Sequence, residues 1–232
     1  MASPCDCSRS KNRLQPVIVE CNVVSASGGS MRITHIETLI SKGVYANSKR
    51  WLDIRGTLLD DIKTVEWPAG TGKFVIYPES GKKRGCGNGV TPIKNGLIER
   101  LKSAGWKPEA PLRIASKKRP GKVDAILYSK DGAIALEWET GNISSSHRAL
   151  NKMCLGLMKG ALIAGVLVVP SRSLYRYLTD RVGNWDELEP YVDVWKKILC
   201  DRGVLEIVVI EHDSTSLNVP KIPKGTDGRA LS

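Results

Sequence analysis

No run of about 18 consecutive apolar residues occurs in the chain, so no transmembrane helix is expected. The N-terminus lacks the apolar core of a secretory signal, and a cytoplasmic protein is the expectation. None of the six cysteines stands in a Cys-x-x-Cys pair, and His35, His147 and His212 are scattered, which argues against a zinc site and leaves reduced thiols as the default. A nucleotide fingerprint is missing too. In Ala69-Gly70-Thr71-Gly72-Lys73 the position of the first Walker glycine is Trp67, so no nucleotide cofactor is expected. Acids are also in deficit, with 24 Asp and Glu against 35 Lys and Arg and a net charge of +11. That balance favours a polyanionic partner, nucleic acid before membrane.

The length of 232 residues allows one domain with a sizeable core. Residues 1–30 are rich in Ser, Asn, Cys and Gly and read as a flexible leader, or as an over-extended start with Met31 the natural first residue. Residues 31–217 read as a single domain, and residues 218–232, with their prolines, glycines and bases, as a flexible basic tail able to settle on a phosphate backbone or in a minor groove. Trp51, Ile54, Leu58, Ile62 and Val65 recur at helical spacing, as do Ile93, Leu97 and Leu101 behind Pro92. Lys73–Tyr77 reads as a strand, and Gly81–Gly89 as a basic glycine-rich loop that could hold a phosphate. Trp106 to Lys122 reads as a connection. Ser144 or Ser145 is expected to cap a helix whose apolar stripe (Leu150, Met153, Cys154, Leu157) faces either the core or a dimer partner. Leu162–Val169 and Val204–Ile210 read as buried strands, and Trp185–Leu199 as a helix interrupted at Pro190. The expected architecture is α/β: a central mixed sheet flanked by helices on both faces.

The chemistry concentrates in two apolar strands joined by Ser129-Lys130-Asp131-Gly132. With the turn centred on Asp131-Gly132, Asp124 faces Glu139 and Ile126 faces Glu137. Strand alternation then puts Asp124, Glu137 and Glu139 on one face and Ile134, Leu136 and Trp138 on the other. A solvated acidic strand face is the bland alternative. Opposed carboxylates repel, however, and three of them in a basic chain make sense around a hard divalent cation, Mg2+ first, with Mn2+ able to replace it. A cation-binding acid cluster on a basic protein points to phosphodiester hydrolysis, in which one or two ions activate a water and steady the leaving oxygen. Asp124 and Glu137 are the natural ligands, and Glu139 is a ligand, a water-orienting group or a proton acceptor. Glu109 joins them only if its loop folds over the patch. Just beyond the acids, Gly141-Asn142-Ile143-Ser144-Ser145-Ser146-His147-Arg148 sets an amide, hydroxyls and a guanidinium at a helix start, residue types suited to base edges and phosphates. Asp180-Arg181 offers a second donor–acceptor pair.

These motifs carry a resemblance. Glu137-Trp138-Glu139-Thr140-Gly141-Asn142 through Arg148, Asn151-Lys152, Leu155-Gly156-Leu157, Tyr177–Val182, Asn88-Gly89-Val90 with Pro92-Ile93-Lys94, and Asn218-Val219-Pro220 with Ile222–Gly225 together resemble the BamHI-like type II restriction endonucleases, the shorter members most. The resemblance implies the restriction-endonuclease-like PD-(D/E)xK core and a prokaryotic restriction–modification enzyme. It also implies a homodimer that cuts double-stranded GGATCC with Mg2+ and leaves 5′ overhangs. It implies that Asp124, Glu137, Glu139 and Glu109 are the active-site acids and that the Trp138 backbone carbonyl assists a metal. Asn142, Ser144, Arg148, Asp180, Arg181 and Lys94 would contact DNA. Most nucleases of the wider fold carry a lysine where Glu139 stands, a departure that BamHI-like enzymes share. The helix holding the stripe would then lie partly at the dimer seam. Two other readings compete: a repair or recombination nuclease of the same fold, and a catalytically silent sequence-specific DNA-binding protein.

Overall fold

The computed structural model describes residues 31–83, 85–112, 114, 121–179 and 182–224. The expected leader, residues 1–30, lies outside the described residues, as do Asp180, Arg181 and residues 225–232.

The two most apolar segments form neighbouring parallel strands, β6 (Ala164–Pro170) and β7 (Gly203–Glu211), and every residue of both is buried. Such strands need cover on two faces. β5 (Gly132–Trp138) extends the sheet parallel to β6, and β4 (Lys122–Ser129) returns antiparallel beside β5. The edges are β1 (Arg32–Lys42) and β3 (Lys107–Pro111), giving the order β1-β7-β6-β5-β4-β3 in a mixed six-stranded sheet. β1 was not foreseen. Its sequence lacks clean alternation, and two register shifts against β7 explain why. Residues 107–111, expected to be part of a connection, form β3 instead. Its two prolines are tolerated because the strand lies at an edge.

One face of the sheet is covered by α1 (Lys49–Lys63) and α2 (Thr91–Ser103), whose Trp51, Leu58, Ile62, Ile93, Leu97 and Leu101 pack with Ile134, Leu136 and Trp138 of β5. The other face is covered by α3 (Ile143–Met158), with the short turns α5 (Trp185–Leu188) and α6 (Val192–Lys196) beside it. A single turn, α4 (Arg172–Tyr175), follows β6. Leu150, Met153, Cys154 and Leu157 of α3 are buried in this second core, against Leu167, Leu205 and Ile207 of the sheet. The stripe is therefore core rather than a free dimer seam, each such side chain contributing about 1.5–3 kcal/mol over exposure.

Three further expectations need correction. The hairpin turn consists of Lys130-Asp131, because Ser129 pairs with Gly132 and Ala125 with Leu136. Ser129 Oγ closes the turn, accepting from the Asp131 N–H at 3.2 Å and donating to the Gly132 carbonyl at 2.9 Å. Gly132 is needed at the strand start, where a Cβ would lie 3.0 Å from Ile163 Cβ. Asp124 thus stands opposite Glu137, not Glu139. The slip is two residues, so each side chain keeps its face. Second, three of the N–H groups of the glycine-rich loop are engaged within the chain and are not available to a phosphate. The N–H groups of Gly81, Gly87 and Gly89 donate to the Arg176 carbonyl, the Glu79 carboxylate and the Ile222 carbonyl. Close packing explains two of these glycines, since a Cβ on Gly81 would sit 1.7 Å from the Leu178 carbonyl oxygen and one on Gly89 2.0 Å from that of Pro223. Third, the segment expected to be a flexible tail from Asn218 is packed as far as Lys224. Ile222 is 1% exposed, the Trp67 indole donates to the Pro220 carbonyl at 2.8 Å, and Lys221 pairs with Glu79 at 2.6 Å.

β2 (Val75–Ile76) is shorter than the strand expected over Lys73–Tyr77 and pairs with β8 (Ser214–Thr215) in a separate two-stranded ribbon. Among the described residues no helix is long and apolar enough to cross a membrane.

Candidate active site

The backbone pairing of β4 and β5 ends at Ala125–Leu136. Beyond that point the two strands are tied through carboxylates. The Trp138 N–H donates to Asp124 Oδ2 at 2.8 Å, and the Asp124 N–H donates to Glu137 Oε2 at 3.3 Å. Side chains here replace a rung of the ladder and gather both acids at the end of the sheet. The remaining oxygens each meet an ammonium group. Lys94, in the first turn of α2, is 2.9 Å from Asp124 Oδ1, and Lys152, from the middle of α3, pairs with Glu137 Oε1. Lys152 also donates to the Lys122 carbonyl at 2.6 Å.

Glu139 follows one step past the end of β5 and is 4% exposed. Its oxygens accept from the Gly141 N–H and the Ser146 hydroxyl. Burial, aided by the charges of Glu137 and Asp124 and opposed by those two hydrogen bonds, pushes its carboxyl up to about 7. Burial also raises Glu137, against the pull of Lys152.

Asp124 and Glu137 are adjacent, whereas Glu139 turns toward α3. Among the described residues no three acid, histidine or cysteine side chains are gathered closely enough to cage a metal. The donor set nevertheless suits a hard cation, because Asp124 and Glu137 present neighbouring carboxylate oxygens, one of each already paired with a lysine ammonium. Trp138 buries its indole in the first core, while its peptide lies beside Asp124. Glu109 does reach the site: with Lys94, Lys102 and Asp124 it lines a cavity of about 300 Å³. Its φ of 50° is unusual for a residue other than glycine, and its carboxylate is 3.6 Å from Lys122.

The candidate DNA-reading residues flank this cluster. Asn142 is the N-cap of α3, but its side chain makes no capping bond, contrary to the cap expected from Ser144 or Ser145. Asn142, Ser144 and Arg148 are all exposed, and the Arg148 guanidinium donates to Ser145 Oγ at 3.1 Å. Asp180 and Arg181 lie outside the described residues, but their neighbours are fixed. The Thr179 N–H donates to the Asn88 carbonyl, and the Gly183 N–H to the Gly141 carbonyl, each at 2.9 Å. Lys94, expected to contact DNA, is seated on Asp124 at 2.9 Å.

Three residues of the site were missed. Ser146 is fully buried beneath Glu139, and its only sequence signal is its place on the inward side of the helix start. Lys152 is a lone lysine within an apolar stripe. Asn88 is 0% exposed, donates its amide to the Tyr77 and Tyr177 carbonyls, and accepts from the Ile222 N–H, joining the glycine-rich loop, the segment before Asp180 and the C-terminal strap. Nothing local in the sequence announces those partners.

Comparison with known proteins gives a consistent picture. Residues 31–229 match the family described as restriction endonuclease BamHI. The type II restriction enzyme OkrAI of Oceanobacter kriegii is 50% identical over 201 residues, covering 87% of this chain and 100% of the relative. The type II restriction enzyme BamHI of Bacillus amyloliquefaciens is 38% identical over 169 residues, covering 70% of this chain and 75% of the relative.

Proposed function

This chain belongs to the BamHI family of type II restriction endonucleases and is a site-specific deoxyribonuclease; from that premise we propose that it cuts both strands of the palindrome GGATCC, leaving 5′ overhangs, as a Mg2+-dependent homodimer. The observation that carries the mechanism is the pairing of Asp124 with Glu137 at the open end of β4 and β5, with Glu139 next in line. Two such sites related by a two-fold axis match the symmetry of a palindromic duplex.

Asp124 and Glu137, with the Trp138 carbonyl, would hold Mg2+, or Mn2+ in its place, which supplies positive charge to polarise a water for attack on phosphorus and to steady the departing oxygen. Glu139 supplies the proton-accepting group. Its proton affinity lies near neutral pH, where a general base is most effective, and the Gly141 N–H and Ser146 hydroxyl fix its orientation. Glu109 adds a further carboxylate at the mouth of the cavity. Asn142, Ser144 and Arg148, exposed at the start of α3, read base edges together with Asp180 and Arg181, asparagine suiting adenine and arginine guanine. Support for GGATCC itself is the match of these five positions to the family's motifs.

Digestion of plasmids carrying mapped GGATCC sites, with Mg2+ present, tests the reading when fragment ends are sequenced. Discrete fragments with ends inside GGATCC are expected. Cutting without site preference would favour a repair nuclease, and a shifted GGATCC duplex that stays intact would favour a binding protein; either result overturns the proposal.

A further inference from the structure

Both acids at the proposed metal site are neutralised from within the chain. Each of the four oxygens of Asp124 and Glu137 has one donor: Lys94 and the Trp138 N–H for Asp124, Lys152 and the Asp124 N–H for Glu137. The two lysines come from opposite faces of the sheet, Lys94 from α2 and Lys152 from α3, and their side chains are only 15% and 19% exposed. Two negative and two positive charges leave this pair of acids with no net charge. A divalent cation approaching it meets two ammonium groups already seated on the oxygens it would use. Like charges at such spacing repel strongly in a partly buried site, so cation and ammonium cannot share one oxygen.

Resting on the active-site reading above, we propose that Lys94 and Lys152 act as internal counter-cations that exclude the metal from free protein, and that DNA admits it by giving an ammonium group another anion. Lys94 is the better placed to leave. It lines the open cavity shared with Glu109 and Lys102, and it sits in the first turn of a helix beside solvent. A DNA phosphate entering the cavity satisfies the displaced ammonium and frees Asp124 Oδ1. Metal binding and DNA binding are then linked, and by thermodynamic reciprocity each strengthens the other by one factor. The consequence is an enzyme that assembles its charged centre only on its substrate. Both lysines are positioning residues here, since they act through the acids.

Titration of Ca2+ by calorimetry at pH 8 tests this, Ca2+ being a hard oxygen-seeking ion. The samples are wild type, Lys152→Met and Lys94→Met, each free and bound to a GGATCC duplex, with Lys152→Arg as a control. Wild type should bind Ca2+ weakly when free and about tenfold or more tightly on the duplex, within the usual range of coupling. Free Lys152→Met and free Lys94→Met should each gain about tenfold in Ca2+ affinity, and because Lys94 is the group that DNA displaces, the dependence on DNA should shrink by that factor in Lys94→Met. Lys152→Arg, which keeps the charge, should bind weakly like wild type. Either methionine variant still reads the gain should the other fold poorly. Uptake by the wild-type complex with no gain in the free methionine variants refutes the inference alone. No uptake by the wild-type complex refutes the metal reading and this inference with it.

Discussion

Replacing Glu139 by glutamine should stabilise the metal-free protein while slowing its chemistry. Glu139 is 4% exposed, and its carboxyl is raised from 4.5 to about 7, chiefly by burial. Between those values the folded protein keeps a proton that the unfolded chain has shed, so stability falls as pH rises through the window and levels off above about 7. At 1.36 kcal/mol per unit, the ionised group costs about 3 kcal/mol at pH 8. Glutamine carries no charge and removes that cost. Its carbonyl can accept from the Gly141 N–H, and its amide can donate to Ser146 Oγ, so neither neighbour is left without a partner. Urea denaturation of wild type and Glu139→Gln in chelator, at pH 5 and pH 8, measures the effect. Little difference is expected at pH 5 and a gain of about 3 kcal/mol for the variant at pH 8. An equal difference at both pH values would refute the assignment of a buried, charge-strained carboxyl. In Mg2+ the same variant should bind the duplex and cut it at least about 10²-fold more slowly.

Glu137→Ala should retain specific binding to a GGATCC duplex in a mobility-shift assay yet give no cleavage, because it removes a proposed ligand and spares the reading residues; loss of both in a folded variant would contradict that division. Arg181→Ala should weaken binding to the intact site by about 1–3 kcal/mol and binding to random DNA far less, and equal losses on both would reduce Arg181 to a phosphate contact. Asn88→Ala should cost about 1–3 kcal/mol in urea denaturation, since it leaves the buried Ile222 N–H without its acceptor, while the Tyr77 and Tyr177 carbonyls keep the Glu79 and residue-88 backbone N–H groups; no measurable cost would show that water replaces the lost acceptor.

The centre of this fold was legible in the sequence and its edges were not. β6 is apolar throughout, and β7 is so apart from the buried Glu206 and Glu211, because parallel strands are covered on both faces. β1 and β3 are edge strands, half exposed, with a histidine and glutamate in one and two prolines in the other, so β1 drew no strand expectation and β3 read as connection. The acids announced themselves because carboxylates on paired strands demand a reason. Their register was misplaced by two residues, since Asp131-Gly132 looks like the turn while Gly132 is a strand residue held close to Ile163. Lys94, Lys152 and Ser146 contact the acids across helix and sheet. Such neighbours depend on how α2 and α3 dock, and no spacing along the chain encodes that.

The account rests on the acids at the open end of β4 and β5 holding a cation against the scissile phosphate. Anomalous diffraction from a crystal of the protein with a GGATCC duplex and Mn2+ measures this directly. A manganese peak is expected about 2.0–2.6 Å from carboxylate oxygens of both Asp124 and Glu137, beside a phosphate inside GGATCC. A peak that avoids both acids, or a duplex seated away from them, would contradict it.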